Sequence, residues 1–271
     1  MIHLNKQSFN LTYLDRFNIE NKKEGLSEPS GLALSHGRNA LWTISDDTKK
    51  IFKLSLNGNL KKDDSFKIPV NGLEGIALDP TGTYLLVVKE ENNEIIQIQI
   101  DTQKVVKREC LANMAGYNAV ASYFIGSGAN KGLEGITWNN GTGTVFVMKE
   151  GSPGLLIEVS SDLKTIRNHQ LLNQESGFRD TEVGVDKLDF SDLCYDQYRD
   201  HFWIISDKAK RLFLYDWKSN KVIQSSKLGY GKNGKYREIK KAEGVAIDLD
   251  ANRLYVVSDE EVRLYVFDIR E

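Results

Sequence analysis

The sequence predicts an all-β protein, a β-propeller with five blades of four antiparallel strands, on three observations. First, a phrase made of an acid, one or two small residues and a short apolar run recurs five times, starting at Glu28, Glu74, Glu134, Asp192 and Glu243. Second, each phrase leads through a turn into a second apolar run that ends on another acid: Asp46, Glu90, Glu150, Asp207 and Asp259. The two acids of a unit are 18, 16, 16, 15 and 16 residues apart, and such regular spacing marks a repeat architecture. Third, no segment carries a useful helical period, while turn residues punctuate the chain at strand-length intervals.

The second unit shows the pattern most plainly. Ile76-Ala77-Leu78 is a short apolar strand, and Asp79-Pro80-Thr81-Gly82 is turn chemistry. Tyr84–Val88 is apolar on both faces, as a strand buried between neighbouring sheets requires. Ile95–Ile100 alternates apolar and polar, and Lys104–Arg108 is largely charged. The series describes a sheet running from a buried inner strand to a solvated outer one. Leu41–Ile44, Val145–Met148, Phe202–Ile205 and Leu254–Val257 are the equivalent second strands of the other units. The fifth unit ends after Arg263–Phe267 without an outer strand, while Tyr13–Ile19 is a spare strand before the first unit, as Ser65–Pro69 is before the second. The N-terminal strand is therefore expected to complete the last blade and close the ring, removing an open sheet edge. The whole chain, 1–271, reads as one domain. Six blades is the alternative count, if a long inter-unit segment holds a degenerate blade.

Composition excludes several functions. With 40% hydrophobic and 27% charged residues and a formal net charge of −2, the chain has no basic footprint for nucleic acid. No apolar run reaches the roughly 18 residues of a membrane span. Met1–Lys6 lacks the pattern of a secretory signal, which predicts a cytoplasmic chain unless a leader precedes it. Cys110 and Cys194 fall in different units and read as buried free thiols.

Strand order places the acids. The first two strands of a blade form a hairpin, so the start of one and the end of the other share a rim, with the strands about 4.8 Å apart. Glu28, Glu74, Glu134, Asp192 and Glu243 should ring the channel mouth, with Asp46, Glu90, Glu150, Asp207 and Asp259 slightly farther out. Two carboxylates about 5 Å apart repel by roughly 3 kcal/mol at an effective dielectric of 20. Raised pKa values, outward splaying onto Lys or Arg, or a bound cation would relieve a ring of them. Many oxygen ligands favour calcium, whereas His3, His36, His169 and His201 lie outside both rows and disfavour zinc. The plainer reading is a solvated structural ring, with Lys89, Lys149, Lys208 and Arg211 close enough to pair with the outer row. Three long connections, Met114 to Lys131, Asn173 to Asp186 and Gly229 to Ala242, also reach this rim. Their Tyr117, Tyr123, Phe124, Phe178, Tyr230 and Tyr236 suggest a binding face.

The phrases Glu28-Pro-Ser-Gly-Leu and Leu73-Glu74-Gly-Ile-Ala-Leu, with Leu41-Trp42-Thr43-Ile44-Ser45-Asp46 and Ile204-Ile205-Ser206-Asp207, resemble the SdiA-regulated family from about residue 25 to the end. The resemblance implies a bacterial β-propeller, commonly membrane-anchored or exported, of no established activity. More distantly the chain resembles phytase-like and gluconolactonase-type propellers, which hold divalent cations on channel acids. By that similarity Glu74, Glu134 and Glu243 are the implied ligands, with Glu28 next. Asp192 departs from the pattern, since Leu193 replaces the glycine.

The leading functional expectation is a calcium-binding scaffold whose loop-rich face takes a small molecule, glycan or protein. The alternative is a metal-dependent hydrolase of phosphoesters or lactones, with Lys89 and Lys149 steering an anionic substrate and a carboxylate as base. A metal-free glycoside-acting site ranks last, because no acid–nucleophile pair stands out. Ser45, Ser206 and Ser258 have no recurring histidine beside them, so no catalytic triad is expected.

Overall fold

In a computed structural model of the chain, residues 8–46, 48–126, 131–180, 188–231 and 235–270 are described. Five four-stranded antiparallel sheets form a five-bladed propeller, each blade ordered A to D outward from the channel. Blade 1 comprises Pro29–Leu34, Ala40–Ser45, Lys50–Ser55 and the two-residue Phe66–Lys67. Blade 2 comprises Leu73–Leu78, Tyr84–Lys89, Glu94–Gln99 and Lys104–Cys110. Blade 3 comprises Leu133–Asn139, Thr144–Lys149, Gly154–Val159 and Ile166–Leu172. Blade 4 comprises Asp192–Asp196, His201–Ser206, Arg211–Asp216 and Lys221–Lys227. Blade 5 comprises Ala242–Asp248, Arg253–Ser258 and Arg263–Arg270, and its fourth strand is Asn10–Asn18 from the other end of the chain. That closure pairs Asn10 with Arg270 through to Asn18 with Arg263, with one bulge between Tyr13 and Asp15, as the spare N-terminal strand predicts.

The A-to-B turn of every blade is organised by a buried polar side chain. Asp79 accepts the N–H groups of Thr83 and Tyr84 at 2.8 and 2.6 Å, and Asn139 those of Gly141 and Thr142 at 2.8 and 3.1 Å. Asp196, Asp248 and Ser35 do the same work in blades 4, 5 and 1. Short side-chain acceptors of this kind bond the backbone two or more residues ahead and set the turn.

Five apolar clusters fill the five gaps between blades. The long connections supply part of this filling. Leu111, Met114, Val120 and Phe124 pack between blades 2 and 3, Phe178 and Phe190 between blades 3 and 4, and Leu228, Tyr230 and Ile239 between blades 4 and 5. Phe124, Phe178 and Tyr230, expected on a binding face, are buried wedges, and Tyr117 and Tyr123 pack against one; Tyr236 is exposed. Residues 127–130, 181–187 and 232–234 of these connections, like His3 and the first residues, lie outside the described residues. Among the described residues no sixth four-stranded sheet forms; the third connection holds only the hairpin Gly229–Tyr230 with Arg237–Glu238. Cys110 and Cys194 are free, and half-buried rather than buried.

At the axis the A strands approach so closely that side chains are excluded. A Cβ on Gly75 would lie 2.4 Å from the Glu134 carbonyl oxygen and 3.0 Å from Gly135 Cα. Gly31 meets Gly75, Gly135 meets Asp192 and Gly244 meets Gly31 in the same way. The ladder slips at this point in blades 1, 2, 3 and 5, a β-bulge that leaves Glu74, Glu134 and Glu243 out of the ladder in blades 2, 3 and 5 and Gly31 in blade 1, while blade 4 keeps regular pairing through Asp192 opposite Ile205. Gly75→Ala is expected to lower unfolding free energy by about 1–3 kcal/mol through overpacking against backbone. Gly37→Ala, whose nearest neighbour is 3.5 Å away, is expected to stay within about 0.5 kcal/mol of wild type in the same urea titration.

Candidate functional site: an acidic channel mouth

Position relative to the axial contact determines which side chains enter the channel mouth, with the bulge turning in the glutamates of blades 2, 3 and 5. The residue before each axial glycine is Ser30, Glu74, Glu134 and Glu243 in blades 1, 2, 3 and 5, and blade 4 presents Ser191 at the matching register. All five line a cavity of about 530 Å³, except that the row is two serines and three glutamates rather than five acids. Glu28 therefore corrects from the inner row to a position two residues upstream of it. The same upstream position is Gly72 in blade 2, Gly132 in blade 3, Asp189 in blade 4 and Lys241 in blade 5, and Glu28, Asp189 and Lys241 line the cavity as well.

Asp192 is also corrected. It stands at the glycine position, one level below the inner row, and its side chain is fully buried. One of its oxygens accepts the backbone N–H of Val245 at 2.9 Å and of Leu32 at 3.3 Å, from blades 5 and 1, while Oδ1 has no hydrogen-bond partner. Burial pushes its carboxyl well above the usual range, against the pull of those N–H groups. Asp192 thus plugs the axis beneath the cavity.

The outer row is acidic in all five blades, but its members differ in surroundings. Asp46, Glu150 and Asp259 line the cavity. Asp207 turns to Lys210 at 2.6 Å, and Asp259 pairs with Lys241. Glu150 meets Lys131 at 2.6 Å. The four cations expected to serve this row are engaged elsewhere: Lys89 with Glu91, Lys208 with Asp189, and Arg211 with Asp180. Lys149 is completely buried and donates to the Gly151 and Pro153 carbonyls, and burial lowers its pKa to about 8.

Between blades 2 and 3 three acids converge. Glu90, Glu134 and Glu150 each offer an oxygen within 4.8 Å of the others, and Glu90 is positioned by the Gly132 N–H at 3.1 Å. Burial first, then the negative charges of Glu74, Glu150, Glu90 and Glu243, push Glu134 well above its usual pKa. Burial, Asp46 and Glu90 raise Glu74 to about 7, although the Ser30 hydroxyl bonds it at 3.3 Å. Glu243 rises to about 8 through burial and Asp207, against the opposing pull of Lys241 and a bond from Ser191. Oxygen-only donors in this number suit a hard cation such as calcium, which takes about 6–8 oxygens. His36, His169 and His201 are absent from the cavity lining. Ser30, Ser191, Asp189 and Lys241 escaped the sequence reading. A constant 16-residue interval back from the outer acids, to Ser30 from Asp46 and to Ser191 from Asp207, is the signal that finds the two serines.

Raised carboxyl pKa values make the ion-free protein less stable as these groups ionise. In the folded state they bind protons that the unfolded chain has already lost above about pH 4.5, so stability falls as pH rises toward their folded values. In EDTA, the melting temperature is expected to drop between about pH 5 and 8, and Glu74→Gln to flatten that slope. A flat wild-type profile over this window contradicts the burial of these acids.

A model of the SdiA-regulated family matches residues 10–268. Among solved structures, the glutaminyl cyclase of Myxococcus xanthus is similar at a TM-score of 0.63 and 12% identity, over 96% of this chain and 97% of that one. Weaker likenesses are the Cps50 (Swd1) β-propeller domain of Myceliophteria thermophila (TM-score 0.47, 13% identity, 90% of this chain and 65% of that one) and Kuenenia stuttgartiensis hydrazine synthase (TM-score 0.49, 12% identity, 86% and 56%). At these identities the likeness to the cyclase shows a shared propeller fold alone.

Proposed function

We propose, for a chain that belongs to the SdiA-regulated family, that it is a calcium-binding propeller scaffold whose acidic channel mouth receives a small ligand. The observation that carries this reading is the convergence of Glu90, Glu134 and Glu150, with oxygens within 4.8 Å of one another. Two oxygens on one calcium ion, each about 2.4 Å from it, lie no more than about 4.8 Å apart, so the cluster is compact enough to share an ion. Lys131 offsets part of the charge through Glu150, but three carboxylates drawn together where Glu134 is largely buried still repel one another, and a divalent cation would remove that cost.

The cavity beside the cluster supports the ligand-binding half of the reading. Its volume of about 530 Å³ falls in the range of roughly 300–1,000 Å³ typical of small-molecule pockets. Ser30, Ser191 and Lys241 add hydroxyl and ammonium groups to its acidic wall, bonded to Glu74, Glu243 and Asp259. A small molecule, or a sugar or side chain offered by a larger partner, fits this space. The hydrolase alternative shares the acid cluster but gains nothing from the two lysines expected to steer an anion, since Lys89 pairs with Glu91 and Lys149 is sealed against backbone carbonyls. Among the described residues no helix is long and apolar enough to cross a membrane.

Calcium added to EDTA-treated protein is expected to raise the melting temperature. At 100 times the dissociation constant the stabilisation is about 2.7 kcal/mol. Glu134→Gln should abolish the shift, and Glu243→Gln, in blade 5 across the channel, should largely retain it. Calorimetry that detects no calcium binding by the wild type overturns the reading.

A further inference from the structure

Beside the three converging acids lies a polar atom with nothing to bond. Asn93 closes the turn after Glu90, its N–H donating to the Glu90 carbonyl at 3.1 Å, and its backbone is left-handed with φ of 51°. Its side-chain oxygen exposes less than 1 Å² to solvent and has no hydrogen-bond partner. A buried acceptor in that condition is costly unless something electropositive meets it. Its location is defined by Gly132: a Cβ there would lie 2.8 Å from Asn93 Oδ1 and 2.6 Å from Glu90 Cγ. The amide oxygen and the Glu90 side chain thus both pack against Gly132, where a side chain would displace them, and the Gly132 N–H holds Glu90 Oε1 at 3.1 Å.

We propose that Asn93 Oδ1 is a fourth protein ligand to a calcium ion held by Glu90, Glu134 and Glu150. The inference rests on the calcium reading above and adds to it a neutral ligand. Asn amide oxygens are ordinary calcium donors, and a fourth protein oxygen moves a three-carboxylate cluster toward the six to eight that calcium accepts. The competing explanation is packing, with the oxygen resting on the Gly132 backbone through weak C–H contacts.

Asn93→Gly separates the two, because glycine keeps the left-handed backbone and removes only the amide. The probes are calcium, by calorimetry, and terbium, whose luminescence lifetimes in light and heavy water count the waters on the ion. The proposal expects Asn93→Gly to weaken calcium binding roughly tenfold and to add one water to bound terbium, with the melting temperature in EDTA little changed. Asn93→Asp, which keeps the oxygen and adds charge, should bind at least as tightly as wild type with the same hydration. Should Asn93→Gly fail to fold, Asn93→Asp decides: tighter binding at unchanged hydration supports the ligand role, and weaker binding overturns it. If the wild type binds calcium, Glu134→Gln does not, and Asn93→Gly matches the wild type in affinity and hydration, the Asn93 assignment falls and the calcium reading stands. A wild type that binds neither ion removes both.

Discussion

Close backbone contact around the channel axis is the constraint from which the rest of this structure follows. Five inner strands meet where a Cβ on Gly75 would sit 2.4 Å from the neighbouring blade's carbonyl oxygen, so glycine holds the position in four blades. The same crowding bulges the strands of blades 2, 3 and 5 just before the glycine, and the bulge turns the preceding glutamate into the mouth. Packing thereby decides which side chains face the cavity. Blade 4 breaks the rule with Asp192, and the consequence is local: its strand stays regular, and its carboxyl fills the axis by bonding the N–H groups of two other blades.

The fold was legible because its signals are local. Alternation in Ile95–Ile100, turn chemistry in Asp79–Gly82 and the doubly apolar second strands each identify an element without reference to distant residues. Ring closure was legible for a related reason: blade 5 ends one strand short and Asn10–Asn18 supplies a strand of the right character. The site was legible only in part. Aligning on the first acid of each phrase places Glu28 and Asp192 in the inner row, whereas counting a constant 16 residues back from the outer acids selects Ser30 and Ser191. The unequal intervals of 18 and 15 carried that information, and it takes the bulge geometry to interpret them. Long side chains were the least readable. Lys149 and Lys208 sit beside outer-row acids in the sequence, yet one is buried on carbonyls and the other meets Asp189. Connection aromatics such as Phe178 resemble a binding surface in sequence, but blades diverge away from the axis and the widening gaps require apolar filling.

A fivefold scaffold with nearly equivalent positions need not produce a fivefold site. The outer row is acidic throughout, and the blades differ in the inner row, where Ser30 and Ser191 replace glutamate, and again two residues before it. In blade 5 that position is Lys241, which pairs with Asp259 and pulls Glu243 downward against burial. In blades 2 and 3 it is Gly72 and Gly132. Glycine there supplies no charge, and at Gly132 it opens the room that Glu90 and Asn93 occupy. Lys241 therefore compensates charge from within the row on one side of the mouth, whereas on the other three acids converge with Lys131 on Glu150 as their paired cation. Serine for glutamate in the inner row, and glycine, acid or lysine two residues before it, thus give a repeated scaffold a sided site, and any cation or ligand entering the mouth meets that asymmetry first.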